Sequence, residues 1–196
     1  MKPREGDTMS RAPAFPLSEQ KQLLAIARRS ITAACAGDEA PLEGELSDAL
    51  QVRAGAFVTL YQAGSLRGCV GTFDASKPVA EVVHQMAATA ALRDHRFHPV
   101  ESDEVKGLRL SISVLSPPRP VRALDEIEVG LHGLIVTKGY RRGVLLMKVA
   151  VENGWDRDEF LSATCVKAGL DARAWREFGE PGGITIDLFE TFDFAE

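Results

Sequence analysis

An α+β fold, with a mostly antiparallel sheet packed by helices, is what this 196-residue sequence predicts. Three observations carry that reading. Leu108, Leu110, Ile112 and Val114 alternate with Arg109, Ser111 and Ser113, the period-two pattern of a sheet strand with two different faces. Val79, Val82, Val83, Met86 and Ala90 recur at helical spacing, which marks a helix with one apolar stripe. The two kinds of segment are mixed without the regular strand–helix–strand alternation of a parallel sheet.

Residues 1–16 are polar and contain prolines, so they read as a flexible tail ahead of a domain over 17–196. Ser18 is expected to N-cap a first helix whose Leu23, Leu24, Ala27 and Ile31 face inward, with Gly37 as the stop. Phe57–Gln62 and Leu66–Phe73 form a hairpin about Ala63–Gly64–Ser65. Ser76 and Pro78 open a second helix, with proline where its missing N–H costs nothing. The chain leaves that helix through Arg93–Phe97 and breaks at Pro99 before the 108–114 strand. Ser116–Pro117–Pro118–Arg119–Pro120 reads as a rigid crossing, too short for a domain linker. His132–Thr137 and Gly143–Met147 are two strands around a turn at Lys138–Arg142. Asp156 and Glu159 have capping-box spacing, and Phe160, Leu161, Thr164 and Cys165 form the buried side of the helix that follows, with Gly169 as its C-cap. Asp171 opens a short helix carrying Trp175, and Ile184–Phe194 alternates as one final strand.

The composition narrows the function classes. Hydrophobic residues at 45% and charged residues at 26% are globular values. A net charge of −5 argues against a general nucleic-acid binder, which needs a basic face. Cys35, Cys69 and Cys165 are scattered, without a Cys-x-x-Cys pair, so neither a zinc knuckle nor a disulfide framework is written here. Free thiols fit a reducing compartment, there is no apolar signal core, and no apolar run is long enough to span a membrane. A cytoplasmic protein is therefore expected. Nothing in the sequence indicates a cofactor or a metal.

Leu66–Thr72 is the segment with the most chemical information. Gly68 and Gly71 bracket Cys69 in a predicted strand, where glycine is unusual and marks a bulge or a close approach. In regular extended backbone Arg67 and Cys69 share a face, and a guanidinium beside a thiol favours the thiolate. The competing reading makes Cys69 a small core filler, as Cys35 and Cys165 on their helical stripes are expected to be.

Leu66–Thr72, Arg93-Asp94 with Arg96-Phe97, Ser113–Pro118, His132–Val136, Arg141-Arg142-Gly143 and Gly154-Trp155-Asp156, in that order, resemble the AMMECR domain family. Its bacterial members are called protein A of the AmmeMemoRadiSam system, and the resemblance covers about residues 18–194. It implies one α+β unit with a larger and a smaller lobe, a cleft near the glycine–cysteine segment, and partners of two kinds, a Memo-like protein and a radical SAM protein. It implies no reaction. The site it implies carries over to Arg67, Gly68, Cys69, Gly71, Arg93, Asp94, Arg96 and His132, and Thr72 closes the segment. In this reading Cys69, Arg67 and His132 are the candidate catalytic set, with His132 as a base. Gly68, Gly71, Thr72, Arg93, Asp94 and Arg96 would hold a small anionic ligand.

Two departures stand out. The family commonly has proline where this chain has His95 and often where it has His98, so this pair reads as a solvated loop and not as metal spacing. Many relatives read Leu-Leu-Pro-Gln where this chain has Leu145-Leu146-Met147-Lys148. Two functions fit the whole: a thiol-dependent enzyme centred on Cys69, or a binding component whose partners carry the chemistry. The second is the reading taken forward.

Overall fold

The computed structural model describes residues 11–38, 40–42 and 46–196, so most of the expected tail lies outside the described residues. In chain order the elements are α1 (Leu17–Ala36), β1 (Ala56–Gln62), β2 (Ser65–Thr72), α2 (Val79–Leu92), β3 (Leu108–Leu115) and β4 (Arg119–Pro120). They are followed by β5 (Gly133–Lys138), β6 (Arg141–Leu145), α3 (Met147–Asn153), α4 (Arg157–Lys167), β7 (Thr185–Phe189) and β8 (Thr191–Ala195). The fold is α+β as expected, but with two four-stranded sheets. The chain divides into two units, Pro13–Leu115 with Phe192–Glu196 and, second, Ser116–Thr191.

In the first unit the strand order is β2-β1-β3-β8, with β1 antiparallel to both β2 and β3. Ala56, Val58 and Leu60 of β1 are wholly buried together with Leu23, Ala27 and Ile31 of α1 and Val79, Val83 and Ala87 of α2. Alanines on α2 let that helix lie close to the sheet. Pro16, not Ser18, is the residue before α1; Ser18 sits in the first turn, where its hydroxyl turns to Glu19. Gly37 ends α1 in the left-handed region at φ 81°, where a residue with a Cβ is strained. His84 of α2 is half-buried, and its Nε2 hydrogen-bonds the Ala40 carbonyl at 2.7 Å. The tail is not free to residue 16 either. Phe15 is buried, with its ring 6.0 Å from that of Phe192 and 6.5 Å from that of Phe194.

In the second unit the order is β4-β7-β5-β6. Asp156 caps α4 as predicted: its Oδ1 accepts the Glu159 N–H at 2.9 Å, and Glu159 returns the bond to the Asp156 N–H. Phe160, Leu161, Thr164 and Cys165 are all buried beneath it.

Three expectations are corrected here. Ser116–Pro120 is not a crossing within one unit; the division falls between Leu115 and Ser116, and Arg119–Pro120 is a strand paired with β7. Ile184–Phe194 is not one strand but β7 and β8, in different sheets, broken at Glu190. Ser116 holds that break: its hydroxyl accepts the Glu190 N–H at 2.9 Å and its own N–H reaches the Glu190 carbonyl. Met147 begins helix α3, not the end of a strand.

Candidate functional site

β2 is an edge strand of the first sheet, and its pairing with β1 contains one irregularity. Thr72, Gly71, Val70, Cys69 and Gly68 pair in order with Ala56 through Leu60, but Tyr61 pairs with Leu66, so Arg67 is an extra residue in a bulge. The bulge separates the two side chains expected to act together. Cys69 points with Thr59, its Sγ 3.3 Å from the Thr59 hydroxyl. The Arg67 guanidinium goes elsewhere. It forms a fork with Glu104 (3.0 and 2.9 Å) and donates to the carbonyls of His98 (2.8 Å) and Pro99 (3.3 Å). That fork, helped by the Glu101 N–H, holds the Glu104 carboxyl below its ordinary value. Arg67 ties the 98–104 loop to the sheet. Arg67→Lys, which keeps charge but loses the planar fork, is expected to lower stability by about 1–2 kcal/mol in urea unfolding.

The glycines are explained by packing. A Cβ at residue 68 would overlap the Ala90 carbonyl oxygen of α2, and one at 71 would overlap the Phe57 ring. The missing side chains admit a helix and an aromatic ring, where an opening for ligand was the expectation. Thr72 is used locally: its hydroxyl accepts the Asp74 N–H at 3.0 Å, starting the turn toward α2.

The Arg93–Arg96 corner acts on the strand edge. Asp94 Oδ2 accepts the Cys69 N–H at 2.8 Å, and Arg96 Nη2 donates to the Cys69 carbonyl at 3.1 Å. Arg96 also grips Asp94, with Nε at 2.9 Å from Oδ1 and Nη2 at 2.7 Å from Oδ2. One acid and one base thus supply the acceptor and donor that a neighbouring strand would have supplied, which closes an otherwise open edge. The Asp94 side chain is only 6% exposed, and hydrogen bonding from Arg96, with the Cys69 N–H adding to it, holds its carboxyl at about 2. Arg96 is correspondingly raised, first by Asp94 and in smaller part by the Cys69 side chain.

Arg93, at the C-terminal end of α2, is exposed, and its guanidinium has no hydrogen bond or ion pair among the described residues. It lines an open pocket of about 660 Å³ with Val70, Leu92, Asp94, His95 and Arg96. A second pocket, about 550 Å³, is lined by Arg67, His95, Arg96, Phe97 and His98.

His132 belongs to the second unit, and its ring is engaged there: Nδ1 accepts the Glu128 N–H at 3.1 Å. Burial, and next the charge of Arg119, push its pKa below the ordinary imidazole value, so it is neutral near pH 7. The structure therefore brings Cys69, Asp94 and Arg96 together, turns Arg67 away, and commits the Nδ1 of His132 to a backbone N–H. Thr59 and Glu104 are the partners that sequence reasoning missed. An unbroken hairpin register about Ala63–Gly64 pairs Thr59 with Gly68, so the bulge hid the first. Nothing local marked the second.

The AMMECR1 family model matches residues 24–191. A protein of Methanothermobacter thermautotrophicus is 42% identical over 164 residues, covering 79% of this chain and 85% of its own. One from Methanosarcina mazei is 41% identical over 157 residues, covering 78% and 76%. The crystal structure of the uncharacterized protein PH0010 from Pyrococcus horikoshii superposes with a TM-score of 0.83 at 35% identity, covering 89% of this chain and 90% of that one.

Proposed function

The chain belongs to the AMMECR1 family, and from that premise we propose that it is a binding component working with Memo-like and radical SAM proteins, which carry the chemistry. Its site is the Leu66–Thr72 edge with the Arg93–Arg96 corner, and its ligand there is a small anion or an anionic group of a partner. The observation that carries this reading is the environment of Cys69. Its backbone is clamped on both sides by Asp94 and Arg96, and its sulfur meets the Thr59 hydroxyl, a group that does not take up a proton at neutral pH. The clamp gives a rigid platform beside Arg93 and Arg96. Three unpaired thiols suit the reducing conditions of the cytoplasm, where we place it. No helix among the described residues is long and apolar enough to cross a membrane.

A thiol-dependent enzyme, using Cys69 as nucleophile or acid/base on an anionic small molecule or modified residue, is the second reading. The proximity of Arg96 favours it. Cys69→Ser separates the two. Under the binding reading the variant still co-elutes with the Memo-like and radical SAM partners and supports their joint activity at close to the native level. Abolished activity with co-elution intact would transfer the reading to thiol chemistry.

A further inference from the structure

We propose that the pocket lined by Arg67, His95, Arg96, Phe97 and His98 takes a phosphate monoester. The proposal rests on the anion-binding reading above and narrows it to a ligand class. The geometry supplies donors already held in place. Three hydrogen bonds through Nε and Nη2 fix the Arg96 guanidinium on Asp94 and the Cys69 carbonyl, leaving both N–H groups of Nη1 unengaged. Arg67 is fixed in the same way by Glu104 and the His98 and Pro99 carbonyls, with one Nη1 hydrogen to spare. The His95 and His98 rings each add an N–H from the same wall. That is more donor capacity than the two oxygens of a carboxylate use, and it suits the three terminal oxygens of a phosphate.

Charge points the same way. The carboxylates paired with the pocket's two arginines, Asp94 with Arg96 and Glu104 with Arg67, do not line it, and each is neutralised by that arginine. What remains is Arg93 in the adjoining pocket and the imidazole N–H donors of His95 and His98. Phe97, whose ring centroid lies 5.4 Å from the Arg96 guanidinium, adds an aromatic wall for the organic part of an ester.

The test is calorimetric titration of phenyl phosphate into the full chain and into a His95→Ala/His98→Ala double variant, with benzoate as the aromatic monoanion. Both histidines are exposed, so the variant is expected to unfold at the native urea midpoint. Phenyl phosphate is expected to bind at least about tenfold tighter than benzoate and to lose at least about tenfold in the double variant. Equal binding of benzoate and phenyl phosphate would remove the phosphate while leaving an anion site. Native-like affinity in the double variant would move the ligand to Arg93. Absence of phenyl phosphate binding at millimolar concentration overturns the proposal outright, whatever the partner co-elution shows.

Discussion

Gly68→Ala is expected to cost about 3 kcal/mol or more, enough to leave much of the protein insoluble on expression. The added methyl meets the Ala90 carbonyl oxygen, which is backbone in the last turns of a fully packed helix and cannot rotate aside. Relief requires α2 to move off the sheet, and Val79, Val83 and Ala87 would lose their seat on β1 as it did. Gly107→Ala is the matched control. A Cβ there meets nothing within 4 Å, so the substitution is expected to change stability by no more than about 0.5 kcal/mol. Urea unfolding of the two variants side by side checks both; a Gly68→Ala protein of native stability would mean that the helix is not seated where it is described.

Removing Asp94 is expected to be nearly as damaging. Asp94→Ala strips the acceptor from the Cys69 N–H and leaves Arg96 without the carboxylate that orients it, a loss of about 2–3 kcal/mol. The sign of the pH dependence follows from the depressed carboxyl. A group whose folded value is about 2 against 3.8 adds stability that is fully present above 3.8 and is lost as the pH falls toward 2. Glu104 is also depressed, so acid unfolding of the native chain sums several groups. The difference between native and Asp94→Asn stability isolates this one: it is expected to be flat above about pH 5 and to shrink between pH 4 and pH 2. A difference that stays constant through that interval would show that Asp94 carries no charge-dependent bond to the strand edge.

The hairpin, both long helices and the α4 capping box were legible because each is dictated by local chemistry: period, turn residues, a carboxylate at a helix start. The site was legible only as a location. Arg67 and Cys69 are two residues apart and were expected on one face, which holds for any unbroken strand. Gly68 marked a bulge or a close approach, and the bulge falls beside it at Arg67, but the residue types there do not say which side chain it displaces. The glycines were recognised as a close approach, but whether a ligand or a helix approaches is decided by Ala90, 22 positions further on. The break at Glu190 failed for a similar reason. Ile184, Ile186, Leu188, Phe192 and Phe194 keep one phase past the exceptions Phe189 and Glu190, and Ser116, remote in sequence, fixes the break there through its hydroxyl and its N–H.

The position of β8 sets the order in which the molecule can be completed. Pro13–Leu115 is made before Phe192–Glu196, so its sheet lacks a fourth strand and Phe15 lacks Phe192 and Phe194 until those residues are translated. Arg28, past the middle of α1, likewise pairs with Glu196 beyond β8. The nascent chain must therefore keep an unfinished sheet margin waiting while the whole of Ser116–Thr191 is made, a span in which that margin is exposed to misassembly. It follows that neither unit is a segment that a single cut in the gene could release intact.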